Sequence, residues 1–180
     1  MEKQMDTQQH KCLIAYFSRA GYNYVGGKII GLAVGNTEVV AQLIGNETGG
    51  DLMRILPQTE YPADYHETTD VAKQELAENA RPTLALALGS IEDYDIVFLG
   101  YPNWWGTMPM PVWTFLERND FSGKTIIPFC THEGSGMGRS ERDIAALCPQ
   151  ARLKKGLAIQ GSNVGSAGPS VKSWIEKLEI

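Results

Sequence analysis

Two adjacent tryptophans, Trp104 and Trp105, stand in the stretch YPNWWGTMP at 101–109, directly after the apolar run DIVFLG. The flanking Pro102 and Pro109 make this stretch a poor continuation of a buried strand, because proline lacks the N–H group that a sheet ladder needs. An indole here either packs into the core of the fold or offers a flat aromatic face to a ligand. The edge of the fold from which the loop leaves decides between these two uses.

Two other segments, 18–37 and 131–140, are rich in glycine and in small polar residues. The first ends in Gly35, Asn36 and Thr37, at the predicted start of a helix. The free backbone N–H groups and the positive dipole end of a helix start can hold an anion without a lysine. This segment therefore indicates a phosphate site.

Three histidines are candidates for chemistry, His10, His66 and His132, and none has the spacing to cysteines or carboxylates that is typical of a metal site. We therefore predict no metal. His66 lies within a predicted helix, whereas His132 follows a strand in the polar segment 131–140. His132 is the candidate catalytic residue, because a histidine beside a ligand can donate or accept a proton near neutral pH.

Two short motifs are similar to nucleotide-binding signatures but lack their structural context. SGKT at 122–125 leads into a strand and not into a helix, and Arg118 stands where the earlier glycine of a phosphate loop is needed. GSGMGR at 134–139 ends in Arg139 and follows the fourth predicted strand, not the first. We interpret the first as a turn and the second as part of a different ligand loop.

Short apolar runs alternate with helical patterns along the whole chain, which is typical of a parallel sheet with helices on both faces. We therefore predict an α/β, doubly wound sheet of five strands in the order 2-1-3-4-5. Pro128 within the fourth run predicts a bulge, and TLALAL at 83–88 stays unassigned. The predicted strands are 12–17, 51–56, 95–100, 125–130 and 157–160.

In a sheet of this order, ligands bind outside the carboxyl ends of the strands, at the point between strands 1 and 3 where the order reverses. The tryptophan loop leaves strand 3 at that point, and the segments 18–37 and 131–140 follow strands 1 and 4 at the same edge. This position favours contact of at least one of Trp104 and Trp105 with a ligand, and not burial of both.

Length and composition restrict the function further. The 180 residues predict a polar tail over 1–10 and a single domain over 11–180. The net charge of −5, without a cluster of lysine and arginine, argues against a nucleic-acid or membrane partner. Cys12, Cys130 and Cys148 form no close pair, and neither a signal peptide nor an apolar span is evident, so we expect a reducing, cytoplasmic location.

The three loops resemble those of a known family. YFS at 16–18, resumed by GNT at 35–37, together with YPNWW at 101–105 and THEGSG at 131–136, is similar to the flavin-contacting loops of flavodoxin-like FMN proteins. The second loop also resembles that of the related quinone reductases. The resemblance extends from about Lys11 to Leu178.

This resemblance implies a flavodoxin-like fold and FMN as cofactor. It implies a phosphate site at Ser18, Asn36 and Thr37, an isoalloxazine ring between the second and third loops, and backbone N–H groups of 103–106 and 134–136 facing the pyrimidine edge of that ring. The full set of expected FMN contacts is Ser18, Arg19, Asn36, Thr37, Pro102, Asn103, Trp104, Trp105, Gly106, Thr131, His132, Gly134, Ser135 and Gly136.

The chain departs from the family pattern in two places. An insert of residues 19–34 separates the YFS and GNT parts of the first loop, and it forms either a small hairpin flap near the ligand, with Tyr22 or Tyr24 touching it, or a surface ornament. His132 and Glu133 stand where relatives have small residues, and Glu133 would be strained if its φ were positive.

Three functions are open at this point. We favour an electron carrier that exchanges electrons with a redox partner protein. The alternatives are an NAD(P)H-dependent reductase of quinones or nitro compounds, with a small-molecule acceptor, and a non-enzymatic flavin-binding module. Either a monomer or a homodimer is compatible with the sequence.

Overall fold

A computed structural model describes residues 10–85 and 89–180 of the protein. The strands are β1 Cys12–Tyr16, β2 Gly21–Val25, β3 Lys28–Leu32, β4 Asp51–Arg54, β5 Ile96–Pro102, β6 Thr125–His132, β7 Arg152–Leu153 and β8 Leu157–Gln160. The α-helices are α1 Asn36–Thr48, α2 Tyr65–Ala77, α3 Met110–Arg118, α4 Ser140–Leu147 and α5 Gly168–Glu176, and a 3₁₀ helix spans Gly161–Ser166.

The main sheet is parallel and has the order β4-β1-β5-β6, with β7 and β8 both paired to the outer side of β6. Because β4, β5, β6 and β8 are the second to fifth predicted strands, the 2-1-3-4-5 order is confirmed. Of the unassigned run 83–88, Leu84 forms an isolated bridge to Pro57, and 86–88 lie outside the described residues.

Both faces of the sheet are buried, as the continuous apolar runs require. Successive residues of a strand point to opposite faces. Leu13 and Ala15 of β1 therefore join the core beneath α3 and α4, and Ile14 joins the core beneath α1 and α5. At the sheet centre, a Cβ atom on Gly100 would collide with the ring of Phe129, so only glycine fits opposite that ring.

The prediction of a bulge at Pro128 in the fourth strand is wrong. β6 pairs with β5 in one uninterrupted register from Thr125 to Thr131. The O atom of Ile126 accepts from Lys154 N at 3.0 Å, so the nitrogen of Pro128, two residues further on, faces the same neighbour. That neighbour is interrupted between Leu153 of β7 and Leu157 of β8, so the missing N–H group has no ladder to break.

The insert in the first loop is an antiparallel hairpin formed by β2 and β3. Gly26 and Gly27 connect the strands with φ angles of 59° and 86°, which is the two-residue turn that matches the natural twist of a hairpin. Tyr22, Tyr24, Ile29 and Ile30 are exposed on it. Among the described residues, no helix is both long enough and apolar enough to span a bilayer.

Candidate functional site

A cleft opens at the carboxyl ends of β1, β5 and β6, at the edge where the strand order reverses. We call it the first cleft; it has about 620 Å³ of space, part of which is open to solvent. Nine of the expected FMN contacts line it: Ser18, Arg19, Asn36, Thr37, Pro102, Asn103, Trp104, Thr131 and His132. The three loops that the sequence placed at one edge therefore do form a common site.

The floor of the first cleft is a group of small hydroxyl side chains at the start of α1. Thr37 Oγ1 and Thr131 Oγ1 lie 2.8 Å apart, and both side chains are buried. Two hydroxyl groups that share one hydrogen bond retain one O–H donor for a ligand. Ser18 Oγ accepts from the backbone N–H of Glu38 at 3.1 Å and thereby serves as a cap for the first turn of α1.

The hairpin insert does not separate the two halves of the first loop. A Cβ atom on Gly35 would collide with Ser18 Oγ and would lie 2.7 Å from the carbonyl oxygen of Arg19. Only a glycine at this position lets the end of β1 pass so close to the start of α1. Ser18 and the GNT segment therefore meet in space as they would in an uninterrupted loop.

The electrostatics of this floor suit an anion. Gly35 precedes α1, whose first N–H groups and positive dipole end point at the cleft. Glu133 also lines the cleft, but its carboxylate oxygens accept from Gly26 N and Ser162 N, each at 3.1 Å. Glu133 thus fastens the hairpin tip to the 3₁₀ helix while its charge is stabilised by backbone donors.

The side chains of the two adjacent tryptophans point to different parts of the molecule. Trp104 lines the first cleft and is held edge-to-face by Phe17 at 5.2 Å and by Tyr61 at 5.0 Å between ring centroids. Trp105 does not line the first cleft; it is 50% exposed, and its indole N–H donates to the carbonyl of Thr69 on α2 at 3.0 Å. Only one of the pair therefore faces the expected position of the flavin.

Backbone strain at the site lies at Trp105 and not at Glu133. Glu133 has no positive φ, whereas Trp105 has a φ of 55°, which is unusual for a bulky residue. The positive φ belongs to a tight two-residue turn: Trp105 and Gly106, whose φ is 86°, connect Trp104 and Thr107, which exchange backbone hydrogen bonds.

Asn103 joins the second and third loops. Its side chain donates to the carbonyl of Gly136 at 2.8 Å and accepts from Gly106 N at 2.9 Å. Arg139 N also donates to the carbonyl of Gly106 at 2.8 Å. Gly106, Gly134, Ser135 and Gly136 stay outside the residues that line the first cleft. Of these four, Gly106 and Gly136 take part in the hydrogen bonds that join the two loops.

Of the backbone N–H groups of 103–106 and 134–136 that were expected to face a flavin ring, four are hydrogen-bonded within the loops. Asn103 N donates to the carbonyl of Thr131 at 2.8 Å, and Trp104 N donates to that of Thr107 at 3.0 Å. The Gly106 N–H is bound by the Asn103 side chain, and Gly134 N donates to His132 Nδ1. These four N–H groups therefore form hydrogen bonds within the loops themselves, because a backbone donor that is withdrawn from water needs an acceptor in the protein.

His132 lines the first cleft and has a defined tautomer. Its Nδ1 atom accepts from Gly134 N at 2.9 Å, so the neutral ring carries its proton on Nε2. Nε2 is thus the atom from which His132 can donate to a bound ligand. Within 10–85 and 89–180, no three histidine, cysteine or acidic side chains are grouped as metal ligands.

The hairpin is part of the site and not only a surface ornament. Asn23 and Tyr24 line the first cleft, and the Tyr24 ring stacks on Tyr65 of α2 at 6.3 Å with a 28° angle. The Arg19 guanidinium donates to the carbonyls of Tyr22, Pro62 and Ala63. Burial lowers the pKa of Arg19 and raises that of Tyr65.

Five lining residues were not among the expected contacts: Asn23, Tyr24, Tyr65, Glu133 and Gly161. A sequence signal existed for Gly161, because it follows the fifth strand at the same edge of the sheet. It existed also for Tyr65, which follows the second strand there. In both cases the position in the chain indicated the correct edge but not that the residue lines the cleft.

A second cleft adjoins the first and has about 820 Å³ of space, part of it open to solvent. Its lining residues are Arg19, Asn23, Tyr65, Thr68, Thr69, Ala72, Asn103, Trp104 and Trp105. Five of these, Arg19, Asn23, Tyr65, Asn103 and Trp104, also line the first cleft. The two spaces therefore share a wall.

Comparison with known proteins agrees with this geometry. The flavodoxin family model matches residues 11–178, and the chain belongs to the flavodoxin family. A search of curated proteins gave no match to the chain.

Solved structures extend the comparison. A protein from Bacteroides uniformis ATCC 8492 is 31% identical, with a TM-score of 0.74 over 93% of this chain and 99% of that one. A protein from Bacteroides eggerthii DSM 20697 is 28% identical, with a TM-score of 0.72 over 94% and 98%. A flavoprotein from Lactobacillus acidophilus NCFM in complex with FMN shares the fold, at 20% identity and a TM-score of 0.63 over 87% and 97%.

Proposed function

We propose that the protein binds FMN in the first cleft and exchanges electrons through it. The observation that carries this proposal is the hydroxyl floor of Ser18, Thr37 and Thr131 at the start of α1, one loop away from the indole of Trp104. A polar anion site beside an aromatic face matches the two ends of FMN. The complex of the Lactobacillus acidophilus flavoprotein with FMN supports the same choice of cofactor.

The residues of the first cleft would hold the two ends of FMN. The N–H groups at the start of α1, with Ser18 and Thr37, would hold the phosphate. Trp104 would cover the isoalloxazine ring, and His132 Nε2 could donate a proton or a hydrogen bond to the cofactor or to its reaction partner. The flavin supplies electron chemistry when it is bound, and the protein positions it and limits its access to solvent.

The role that we favour is an electron carrier. The chain is acidic, with a net charge of −5, and its flavodoxin family membership is the second support. An acidic surface attracts a basic redox partner over a distance of about one Debye length, roughly 8 Å at physiological ionic strength. The electron donor and acceptor would then be proteins that dock at the cleft edge.

One observation favours a second candidate, an NAD(P)H-dependent reductase of small aromatic compounds. Such an enzyme needs room beside the flavin for its substrate, and the second cleft, which shares Trp104 and Asn103 with the first, offers that room. Anaerobic stopped-flow mixing of the FMN-loaded protein with NADH or NADPH, with and without a quinone, separates the two roles. A turnover above about one per second, the low end for ordinary enzymes, supports the reductase.

Slow reduction by both nucleotides, together with fast reduction by a ferredoxin-type reductase, supports the carrier. A bound flavin that none of these donors reduces supports the non-enzymatic module instead.

The phosphate site has its own test. FMN should bind more than about tenfold more tightly than riboflavin, because each hydrogen bond to a charged phosphate contributes about 1.5–3 kcal/mol. Thr37→Val should reduce this ratio and leave the affinity for riboflavin unchanged. Thr114→Val removes a different buried hydroxyl, on α3, and serves as the control. Equal affinities of the wild-type protein for both flavins would contradict the phosphate site.

The divergence of the tryptophans gives a matched pair of variants for the ring site. Trp104→Leu should weaken FMN binding by about 1 kcal/mol or more, roughly fivefold, because an aromatic contact is lost. Trp105→Leu should leave the FMN dissociation constant nearly unchanged, because this side chain lies outside the first cleft. Fluorescence titration measures both, and a larger effect at Trp105 would reverse the assignment.

A further inference from the structure

The second cleft is built differently from the first. Its walls are the rings of Trp104, Trp105 and Tyr65, together with the start of α2 at Thr68, Thr69 and Ala72. The volume that a small molecule could fill in it is about 360 Å³, near the lower end of the range of about 300–1,000 Å³ that small-molecule sites have. Aromatic walls on two elements make this space suited to a flat molecule.

The walls are held in place without a ligand. The Trp105 indole is fixed to α2 through its bond to the Thr69 carbonyl, and Lys73 lies over the Trp105 ring at 5.2 Å from the centroid. Trp105 keeps this position with a φ of 55°, as the first central residue of the tight turn that it forms with Gly106.

Charge restricts what can enter. None of the nine lining residues is acidic, and one of them, Arg19, carries a positive charge. The Arg19 guanidinium is bound to three backbone carbonyls and forms no ion pair among the described residues, although Asp64 is near enough to affect its pKa. The charge of Arg19 therefore favours an anionic ring over a cationic one, because like charges repel.

We propose that the second cleft is a binding site for a flat aromatic molecule that is neutral or anionic. The proposal rests on the proposed function, because the site matters for redox chemistry only if FMN occupies the adjoining first cleft. Since the two clefts share Trp104 and Asn103, a ligand in the second cleft would lie next to the flavin. A small aromatic electron acceptor of the quinone or nitro class fits this description.

The test uses three probes without redox chemistry: naphthalene-2-sulfonate, the neutral naphthalene-2-carboxamide and the cationic N-methylquinolinium. Each is titrated by calorimetry into the apoprotein and into the FMN-loaded protein, while the Nε1–H signal of Trp105 is followed by NMR. The anionic probe should bind at least about tenfold more tightly than the cationic one and shift the Trp105 signal.

Thr69→Phe fills the second cleft from a position that does not line the first one. It should weaken naphthalene-2-sulfonate binding at least about tenfold and leave the FMN dissociation constant within about twofold. Asp70→Phe adds the same ring one residue further along α2, outside the cleft, and should change neither. Arg19→Gln should remove the preference of the apoprotein for the anionic probe.

Several outcomes overturn the proposal: probe binding that Thr69→Phe leaves intact, preference for the cationic probe, or loss of FMN affinity in Thr69→Phe. The last result would mean that the flavin ring itself lies in the second cleft. The probes should bind the apoprotein as well as the FMN-loaded protein. A protein that binds the probes but not FMN would therefore overturn the proposed function and not this site, and a protein that binds FMN but not the probes would overturn this site alone.

Discussion

The sheet edge and the hairpin contribute to the same cleft, but they are stabilised in opposite ways. Ser18, Thr37 and Thr131 at the sheet edge are buried. Ser18 follows β1 and Thr131 lies in β6, two strands packed on both faces, and Thr37 lies in the first turn of α1. The β2–β3 hairpin is largely exposed and is fixed by a few polar contacts, chiefly those of Glu133 and Arg19. A site of this kind joins a rigid floor to a cover that can open at low cost, because exposed elements with few buried contacts unfold locally first.

The largest expected difference between the two regions is in global stability. Phe129→Ala should lower the free energy of unfolding by about 3–5 kcal/mol, because a fully buried ring over Gly100 leaves a cavity. Tyr22→Ala on the hairpin should change it by less than about 0.5 kcal/mol, because the side chain is 58% exposed. Urea unfolding of both variants measures the contrast, and similar losses would mean that the hairpin belongs to the core.

The next effect concerns the hydroxyl floor. Thr131→Val should lower the stability of the apoprotein by about 1–3 kcal/mol, because the Thr37 hydroxyl then stays buried without its partner. The double variant with Thr37→Val should lose less than the sum of the two single variants, since no unsatisfied hydroxyl remains. Additive losses in urea unfolding would show that the pair does not interact.

A smaller and local effect is expected at the hairpin tip. Glu133→Ala removes the acceptor of Gly26 N and Ser162 N, and each hydrogen bond contributes about 0.5–1.5 kcal/mol. Amide exchange at these two residues should accelerate about threefold to tenfold, while amides of β5 keep their rates. Glu60→Ala, at another exposed acidic residue, is the control. Faster exchange in β5 would show that Glu133 supports the sheet as well.

The smallest expected effect is a pH dependence of the stability that is caused by Glu75, the partner of the Tyr61 ring that packs on Trp104. Burial raises the pKa of Glu75 above its usual 4.5, although the hydrogen bond from Tyr61 at 2.6 Å lowers it in part. A raised pKa means that the folded state binds the proton more tightly, so this stability is present below pH 4.5 and is lost as the pH rises through the folded-state pKa. Glu75→Gln should flatten the stability profile just above pH 4.5, and an unchanged profile would remove Glu75 as its cause.

The same comparison explains what the sequence could and could not predict. Continuous apolar runs such as CLIAY and IVFLGYP mark strands buried on both faces, and chain order places the loops that follow them at one edge. That logic located Ser18, Thr37 and Thr131 correctly. It depends only on local pattern and on topology.

Contacts between segments that are far apart along the chain have no comparable pattern in the sequence. The direction of Trp105 depends on α2, the loop N–H groups depend on Asn103 and Thr131, and the tolerance of Pro128 depends on the gap between β7 and β8. The hairpin was recognisable from Gly26 and Gly27, but its attachment by Glu133 joins residues 107 positions apart. Each of these features is set by a tertiary contact, which the conformational preferences of the local sequence do not determine.

The central claim is that FMN occupies the first cleft with its phosphate at the start of α1. Titration of ¹⁵N-labelled apoprotein with FMN tests it most directly, followed by amide and indole shifts in NMR spectra. We expect saturation at one FMN per chain, with large shifts at Asn36, Thr37 and the Trp104 indole and small shifts at the Trp174 indole, which lines neither cleft. Saturation without shifts at Asn36 and Thr37, or no saturable binding at all, would contradict the account.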